Sequence, residues 1–306
     1  MRYVAVSVIF SLTFLAAPAL AGNDKNYTYL ALGDSIAFGM NPLLLPPYST
    51  QPRTPAEFTG YPEIVAKAEH LLDSSKEVNA ACPGETSGSF LITGAPDYGC
   101  NSPHYLPSGE SIPAFKTSIG LHTNYAGTQM DFAVKQLTAN KHINLVTLSI
   151  GANDGLLLLQ ECHGNIVCVG NGLGGVLQNY AGNLTTVLSG IRANYQGTLI
   201  LMKYYSPSPA LDGFTAELND VMTQVATQLA QQPGFRPVIF ADGFTAFYLA
   251  SALLNHGPSN HDACKAGLLI RLPFPPETPC DIHPSPLGRD LLAATVEIAQ
   301  LTQIKH

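Results

Sequence analysis

The chain has 306 residues, with 15 basic against 22 acidic side chains and a formal net charge of −7 at pH 7. Only 12% of residues are charged and 46% are apolar, so the composition suits a globular protein with a full core and some exposed apolar surface. The acidic balance and the lack of any Lys/Arg cluster exclude nucleic acid as a partner.

In chain order, residues 1–21 read as a secretory signal peptide. Arg2 supplies the positive start, residues 4–15 the apolar stretch, and Ala19-Leu20-Ala21 a small-x-small site with cleavage expected after Ala21. The stretch is short of the roughly 20 residues that a membrane-spanning helix needs. No later stretch is apolar enough either, so no stable membrane insertion is expected and the mature chain is secreted or periplasmic. Residues 22–306 then form one domain with room for a substantial core.

The first strand is expected over residues 27–32, running into Gly33-Asp34-Ser35. Ile64, Val65, Ala68 and Leu71 fall at helical spacing within 62–72, and a short strand at 78–80 leads into Cys82-Pro83-Gly84. A helix over 128–140 precedes a β-branched, strongly apolar strand over 143–150, which ends at Gly151. Then come a helix over 175–195, a strand over 198–204, a helix over 216–232, a strand over 237–240 and a last helix over 286–303. Segments 40–60, 86–127, 155–174 and 244–280 read as long irregular loops punctuated by Gly, Pro and Ser.

Strands and helices in this alternation form a parallel sheet covered on both faces, an α/β fold. Ligands bind such folds beyond the carboxyl ends of the strands. The six cysteines (Cys82, Cys100, Cys162, Cys168, Cys264, Cys280) all lie in the mature chain, and an even count behind a leader implies disulfides. Six cysteines allow fifteen pairings. Their clustering favours 82–100, 162–168 and 264–280, each stapling one loop.

Three short motifs end at strand termini or in the loop before the last helix. Ser35 follows a Gly-Asp turn and offers a hydroxyl, a weak nucleophile until a base takes its proton. His283, with Asp281 two residues before it, is the candidate base. The backbone N–H groups of Ser35 and Gly84 and the side-chain amide of Asn153 are candidate donors to an oxyanion. His256, His261 and Asp262 lack zinc-site spacing and read as a solvated loop. Asn183-Leu184-Thr185 matches the N-glycosylation pattern. The leucine-rich runs 43–45, 156–159 and 268–274 adjoin the motif loops and are expected to line an apolar acyl pocket.

With Tyr29–Ser35, Gly84 in Cys82-Pro83-Gly84-Glu85-Thr86, Gly151-Ala152-Asn153-Asp154 and Asp281-Ile282-His283-Pro284 in this order, the chain resembles the GDSL, or SGNH, hydrolase family. The resemblance spans nearly the whole mature chain. It implies a flavodoxin-like three-layer α/β/α sandwich, no metal or other cofactor, and hydrolysis through an acyl-enzyme. Family members act on esters, thioesters, phospholipids and acetylated sugars, so family alone does not fix the substrate. One departure stands out: the family pattern places its aspartate three residues before the histidine, where this chain has Cys280.

The leading expectation is a secreted serine carboxylester hydrolase of the esterase or lipase type, acting on a small-molecule or lipid ester. A carbohydrate acetylesterase and a phospholipase or lysophospholipase are alternatives on the same fold. The absence of Trp counts against a sugar-binding cleft. An alternative of another class is a non-catalytic binding protein, supported only by the shifted aspartate.

Overall fold

Thr28–Gly33 is buried at every position and forms β1, a strand with neighbours on both edges. The computed structural model describes residues 28–71, 76–105, 111–257, 259–273 and 279–303; the leader at 1–21 lies outside them. After β1 come α1 (Ser35–Phe38), α2 (Tyr61–Ala68), β2 (Glu77–Asn79) and α3 (Ser87–Leu91). A two-stranded ribbon of β3 (His104–Tyr105) and β4 (Ser111–Ile112) leads to α4 (Phe115–Ser118), α5 (Gln129–Ala139) and β5 (Ile143–Ser149). The chain continues through α6 (Ala152–Glu161), α7 (Ile166–Asn194), β6 (Thr198–Lys203), α8 (Asp212–Ala230), β7 (Ile239–Asp242) and α9 (Gly243–Leu254). It closes with β8 (Leu269–Arg271), β9 (Cys280–Pro284) and α10 (Pro286–Gln303).

The main sheet is parallel, with strand order β2-β1-β5-β6-β7. Numbered within the sheet, the order is second-first-third-fourth-fifth, the flavodoxin-like winding. Helix α10 packs on α2 and α9, while α7 packs on α5, α6 and α8, so helices cover the apolar strands on both faces. The order reverses between β1 and β5, and the crevice outside their carboxyl ends is where such a sheet takes a ligand. Ser35 follows β1 there and Asn153 follows β5.

Segment 155–174 departs from the expected loop. It belongs to two helices, α6 and α7, with a short turn between them. Glycines at 170, 172 and 174 suggest a loop, since each costs about 1 kcal/mol inside a helix, while Gly164 sits in the turn between the two helices with φ +74°. Local chemistry outweighs them. The Asn165 side chain caps α7 by accepting from Val167 N and Cys168 N, and the Cys162–Cys168 disulfide closes the turn. A Cβ on Gly172 would stand 2.6 Å from Leu158 Cδ1, so the glycine lets α7 lie close against α6. Segment 244–280 likewise contains α9 and the β8–β9 ribbon.

All six cysteines are paired, as 82–100, 162–168 and 264–280. No helix among the described residues is long and apolar enough to cross a membrane.

Candidate active site

Ser35 is the first residue of α1, and Asp34 caps that helix. The Asp34 carboxylate accepts from Ile36 N at 3.0 Å, from Ser149 Oγ at 3.3 Å and from the Tyr204 hydroxyl. Burial pushes the Asp34 carboxyl up to about 6 against these hydrogen bonds. Asp34 thus fixes the turn that presents Ser35, locking it at once to β5 and to Tyr204, which follows β6.

Two buried amides secure the strand ends on either side. Gln129, fully buried at the start of α5, accepts from Gly33 N and donates to the Gly33 carbonyl at 3.0 Å. Asn219 on α8 does the same for Tyr204, accepting at 2.9 Å and donating at 2.8 Å. Each supplies a donor and an acceptor to the backbone at the carboxyl end of a strand.

The loop after β2 carries Gly84 in a left-handed conformation, φ +85°. A Cβ there would meet the Tyr98 carbonyl oxygen at 2.3 Å, so only glycine fits. Four connections hold this loop. Cys82 is bonded to Cys100, and the Gly84 carbonyl accepts from Tyr98 N at 2.7 Å. Asp154 accepts from Ser87 N at 2.9 Å and Ser87 Oγ at 2.5 Å. Asn153 Nδ2 donates to the Glu85 carbonyl at 2.9 Å. That last bond orients the Asn153 amide and leaves its second N–H for another acceptor. Among the described residues, neither Ser35 N–H nor Gly84 N–H has an acceptor.

Glu85 is buried under the loop, taking hydrogen bonds from Ser89 Oγ at 2.5 Å and Gln129 Nε2 at 3.1 Å. Burial raises its carboxyl to about 7. Gln129 therefore joins the Ser35 turn to the Gly84 loop. Asn183, the residue of the glycosylation pattern, donates to Ser87 Oγ at 3.0 Å in this same network.

His283 arrives on β9. Its Nδ1 is hydrogen-bonded to Asp281 Oδ1, and its backbone N–H donates to the same oxygen at 2.9 Å. Side chains two apart in a strand share a face, so the two-residue spacing brings this carboxylate to the ring where a three-residue spacing would need a turn. Burial pushes the Asp281 carboxyl up, but His283 and its hydrogen bonds outweigh that and hold it below the usual carboxylate range. The Cys264–Cys280 disulfide anchors the strand immediately before Asp281.

Ser35 stands between two cavities. The larger, about 220 Å³, is walled by Leu156, Leu173, Phe214 and Leu218 from α6, α7 and α8. The smaller, about 160 Å³, is bordered by Gly84, Tyr98, Phe115 and His283. Asn153, Leu156 and Ile282 border both. A model of the GDSL-like lipase/acylhydrolase family matches residues 31–291, from within β1 to within α10. The chain belongs to the GDSL-like lipase/acylhydrolase family. As a member it is an enzyme, a serine ester hydrolase.

Solved structures similar to this GDSL-family chain include one described as a GDSL-like lipase from Parabacteroides merdae, at 15% identity, covering 90% of this chain and 95% of that one with a TM-score of 0.46. An acetyl xylan esterase from Geobacillus stearothermophilus matches at 15% identity, 89% and 94% coverage and a TM-score of 0.45. The psychrotrophic esterase EstA from Pseudoalteromonas sp. matches at 15% identity, 91% and 99% coverage and a TM-score of 0.43. Among curated proteins none matches.

Of the expected residues, the structure gathers Ser35, Gly84, Asn153 and His283 around the smaller cavity, with Asp281 behind His283. The leucine runs divide. Leu159 borders the larger cavity, Leu45 the smaller and Leu156 both. In the third run, Leu268, Leu269 and Ile270 are core residues that border neither, because the β8–β9 ribbon turns them inward; Phe274 lies outside the described residues. His261 is hydrogen-bonded to Asp212 at 2.7 Å. The one metal-compatible cluster among the described residues, Cys82, Glu85 and Cys100, has both sulfurs in a disulfide. Gln129, Tyr204 and Asn219 lie in no motif, and Glu85, although inside the Gly84 motif, carries no signal in sequence for its buried role.

Proposed function

We propose that this GDSL-family hydrolase is a secreted carboxylester hydrolase in which Ser35 is the nucleophile. The observation that carries the reading is that Ser35 and His283 border one cavity, with His283 Nδ1 held by Asp281. With Nδ1 occupied, Nε2 is the nitrogen left for Ser35. As Ser35 Oγ bonds to the ester carbonyl carbon, its proton passes to His283. The carbonyl oxygen becomes an oxyanion, met by the N–H groups of Ser35 and Gly84 and the second amide N–H of Asn153. His283 then returns the proton to the departing alkoxide, leaving the acyl group on Ser35. Water attacks this acyl-enzyme, His283 takes its proton, and the carboxylic acid leaves as Ser35 Oγ is reprotonated.

Asp281 orients the ring and stabilises the imidazolium. Asp34, Gln129 and Glu85 position the parts and take no part in the proton transfers. No cofactor enters this scheme. Secretion is supported by the leader-like segment 1–21 and by three disulfides, with residues 22–306 as one catalytic domain.

The test is hydrolysis of p-nitrophenyl esters together with labelling by a fluorophosphonate. The wild type should turn over and be labelled at Ser35. Ser35→Ala should fold and lose turnover by about 10⁴- to 10⁶-fold. Turnover retained in that variant would remove Ser35 from the mechanism, and no labelling of the wild type would favour a binding protein.

A further inference from the structure

The two cavities beside Ser35 differ in one respect that bears on substrate: His283 borders the smaller and not the larger. In ester hydrolysis the base must hand its proton to the leaving oxygen, so the alcohol half of the ester belongs on the side of His283. The geometry points to a divided site in which the acyl chain enters the larger cavity and the alcohol enters the smaller, both halves being apolar. This inference rests on the serine-esterase reading and adds the identity of the substrate's two halves.

The linings support it. Around the larger cavity the ionisable groups are Asp34, which is occupied by its own hydrogen bonds, and the hydroxyls of Tyr204 and Tyr205. The rest of the wall is supplied largely by leucines and Phe214. Around the smaller cavity, the described residues include no Lys, Arg, Asp or Glu; beyond Ser35, Asn153 and His283 the only polar side chain is Tyr98. A phosphate headgroup would find no cation there. Of several sugar hydroxyls buried in it, Tyr98 offers a partner beside the catalytic groups to one, and each of the others would lose its hydrogen bonds to water at about 1–3 kcal/mol. An aryl or short alkyl alcohol loses nothing comparable and gains contact with Tyr98 and Phe115.

Size sets the scale. An apolar cavity of about 150 Å³ accepts benzene. The smaller cavity, about 160 Å³, therefore suits one aromatic ring. On the same scale the larger, about 220 Å³, suits an acyl chain of roughly eight to ten carbons. Leu159 and Leu211, both more than two-fifths exposed, border the larger cavity, so it opens to solvent through an apolar rim. The substrate class is a medium-chain acid esterified to a compact apolar alcohol.

The experiment is a two-way matrix of esters. Acetate to palmitate is varied on one fixed alcohol, and octanoate is paired with methanol, benzyl alcohol, glucose and glycerophosphocholine. For wild type, kcat/KM should peak near octanoate or decanoate. Benzyl octanoate should exceed the glucose and glycerophosphocholine esters by at least 10-fold. Leu173→Trp, on the larger cavity, should move the acyl optimum shorter by two or more carbons and leave the ranking of alcohols unchanged. Tyr98→Ala, on the smaller, should lower the advantage of benzyl over methyl at least 5-fold and leave the acyl optimum in place.

If Leu173→Trp fails to fold, Val169→Phe on the same wall replaces it. Exchange of the two effects, or each variant moving both preferences, would overturn the division of the site. So would a preference for the glucose or phosphocholine ester. Inactivation of Ser35 by alkyl phosphonates of increasing chain length, with a fixed leaving group, reads the acyl arm without turnover. A rate that rises to about eight to ten carbons supports the division, and a flat rate overturns it. Failure of the serine-esterase reading looks different, since no phosphonate would then label Ser35.

Discussion

Gln129 holds Gly33 at both ends of its backbone, accepting from its N–H and donating to its carbonyl at 3.0 Å, although the two residues lie 96 positions apart. The same amide nitrogen also donates to Glu85 at 3.1 Å. One side chain thus sets the distance between the turn that carries Ser35 and the loop that carries Gly84. Gln129→Leu leaves the buried Gly33 N–H without its acceptor, at about 1–3 kcal/mol, and frees the two loops to drift. Denaturant unfolding should show a loss in that range. kcat should fall at least 10-fold with KM little changed, because oxyanion stabilisation acts on the transition state. A stability loss with kcat intact would reduce Gln129 to a packing residue.

Asp281 and His283 should respond unequally to mutation. His283→Ala removes the base, and Asp281→Asn only its orientation and compensating charge. By the pattern of other triads, the aspartate change should be roughly 10- to 100-fold less damaging in kcat. Both proteins should keep wild-type thermal unfolding within a few degrees. Equal activity of Asp281→Asn and wild type would remove the carboxylate from the mechanism.

Gly84→Ala combines a left-handed backbone with a Cβ 2.3 Å from the Tyr98 carbonyl. Relief requires the loop to move, and the Gly84 N–H moves with it. The expected result is a destabilisation of about 1–3 kcal/mol and a loss of roughly 100- to 1,000-fold in kcat, the usual cost of losing one oxyanion donor. Unfolding midpoints and single-turnover rates on the same preparation separate the two.

Stability should fall as pH rises from about 4 to 7. Asp34, raised from 3.8 to about 6, and Glu85, raised from 4.5 to about 7, each keep a proton in the folded state that the unfolded chain gives up sooner. Their favourable contribution is complete below the unfolded values and is lost as pH passes the folded ones. Asp281, held low, acts in the opposite sense, and its contribution disappears as acid protonates it. Thermal midpoints across this range should decline for the wild type. Glu85→Gln, which fixes the neutral shape, should flatten the decline between pH 4.5 and 7; an unchanged slope would mean that Glu85 does not titrate there.

The sheet and the motif residues were legible because local chemistry writes both into short stretches. β1 and β5 are predominantly apolar runs that lead into Gly33 and Gly151, and a strand end followed by a small polar residue marks a turn open to the crevice. The helical character of 155–174 was hidden by its glycines, whose helical state depends on the Asn165 cap, the Cys162–Cys168 bond and the close approach of Gly172 to Leu158. Gln129 and Asn219 were illegible for a different reason. Gln129 meets Gly33 only across 96 residues and Asn219 meets Tyr204 across the turn from β6 to α8, and nothing at position 129 or 219 differs from an ordinary helix residue. Leu268, Leu269 and Ile270 misled because apolar residues beside a motif line a pocket or fill a core with the same composition.

Among the described residues, His283 rides on β9, which pairs with β8 and with no strand of the main sheet. The five parallel strands end at Asp242, so the sheet's hydrogen-bond ladder can be complete while the base is still absent. During refolding, backbone spectroscopy and ester turnover should therefore report different clocks. The first follows closure of the sheet; the second waits for oxidation at Cys264–Cys280 and for the ribbon to seat, which makes catalysis an indicator that the last part of the chain has arrived.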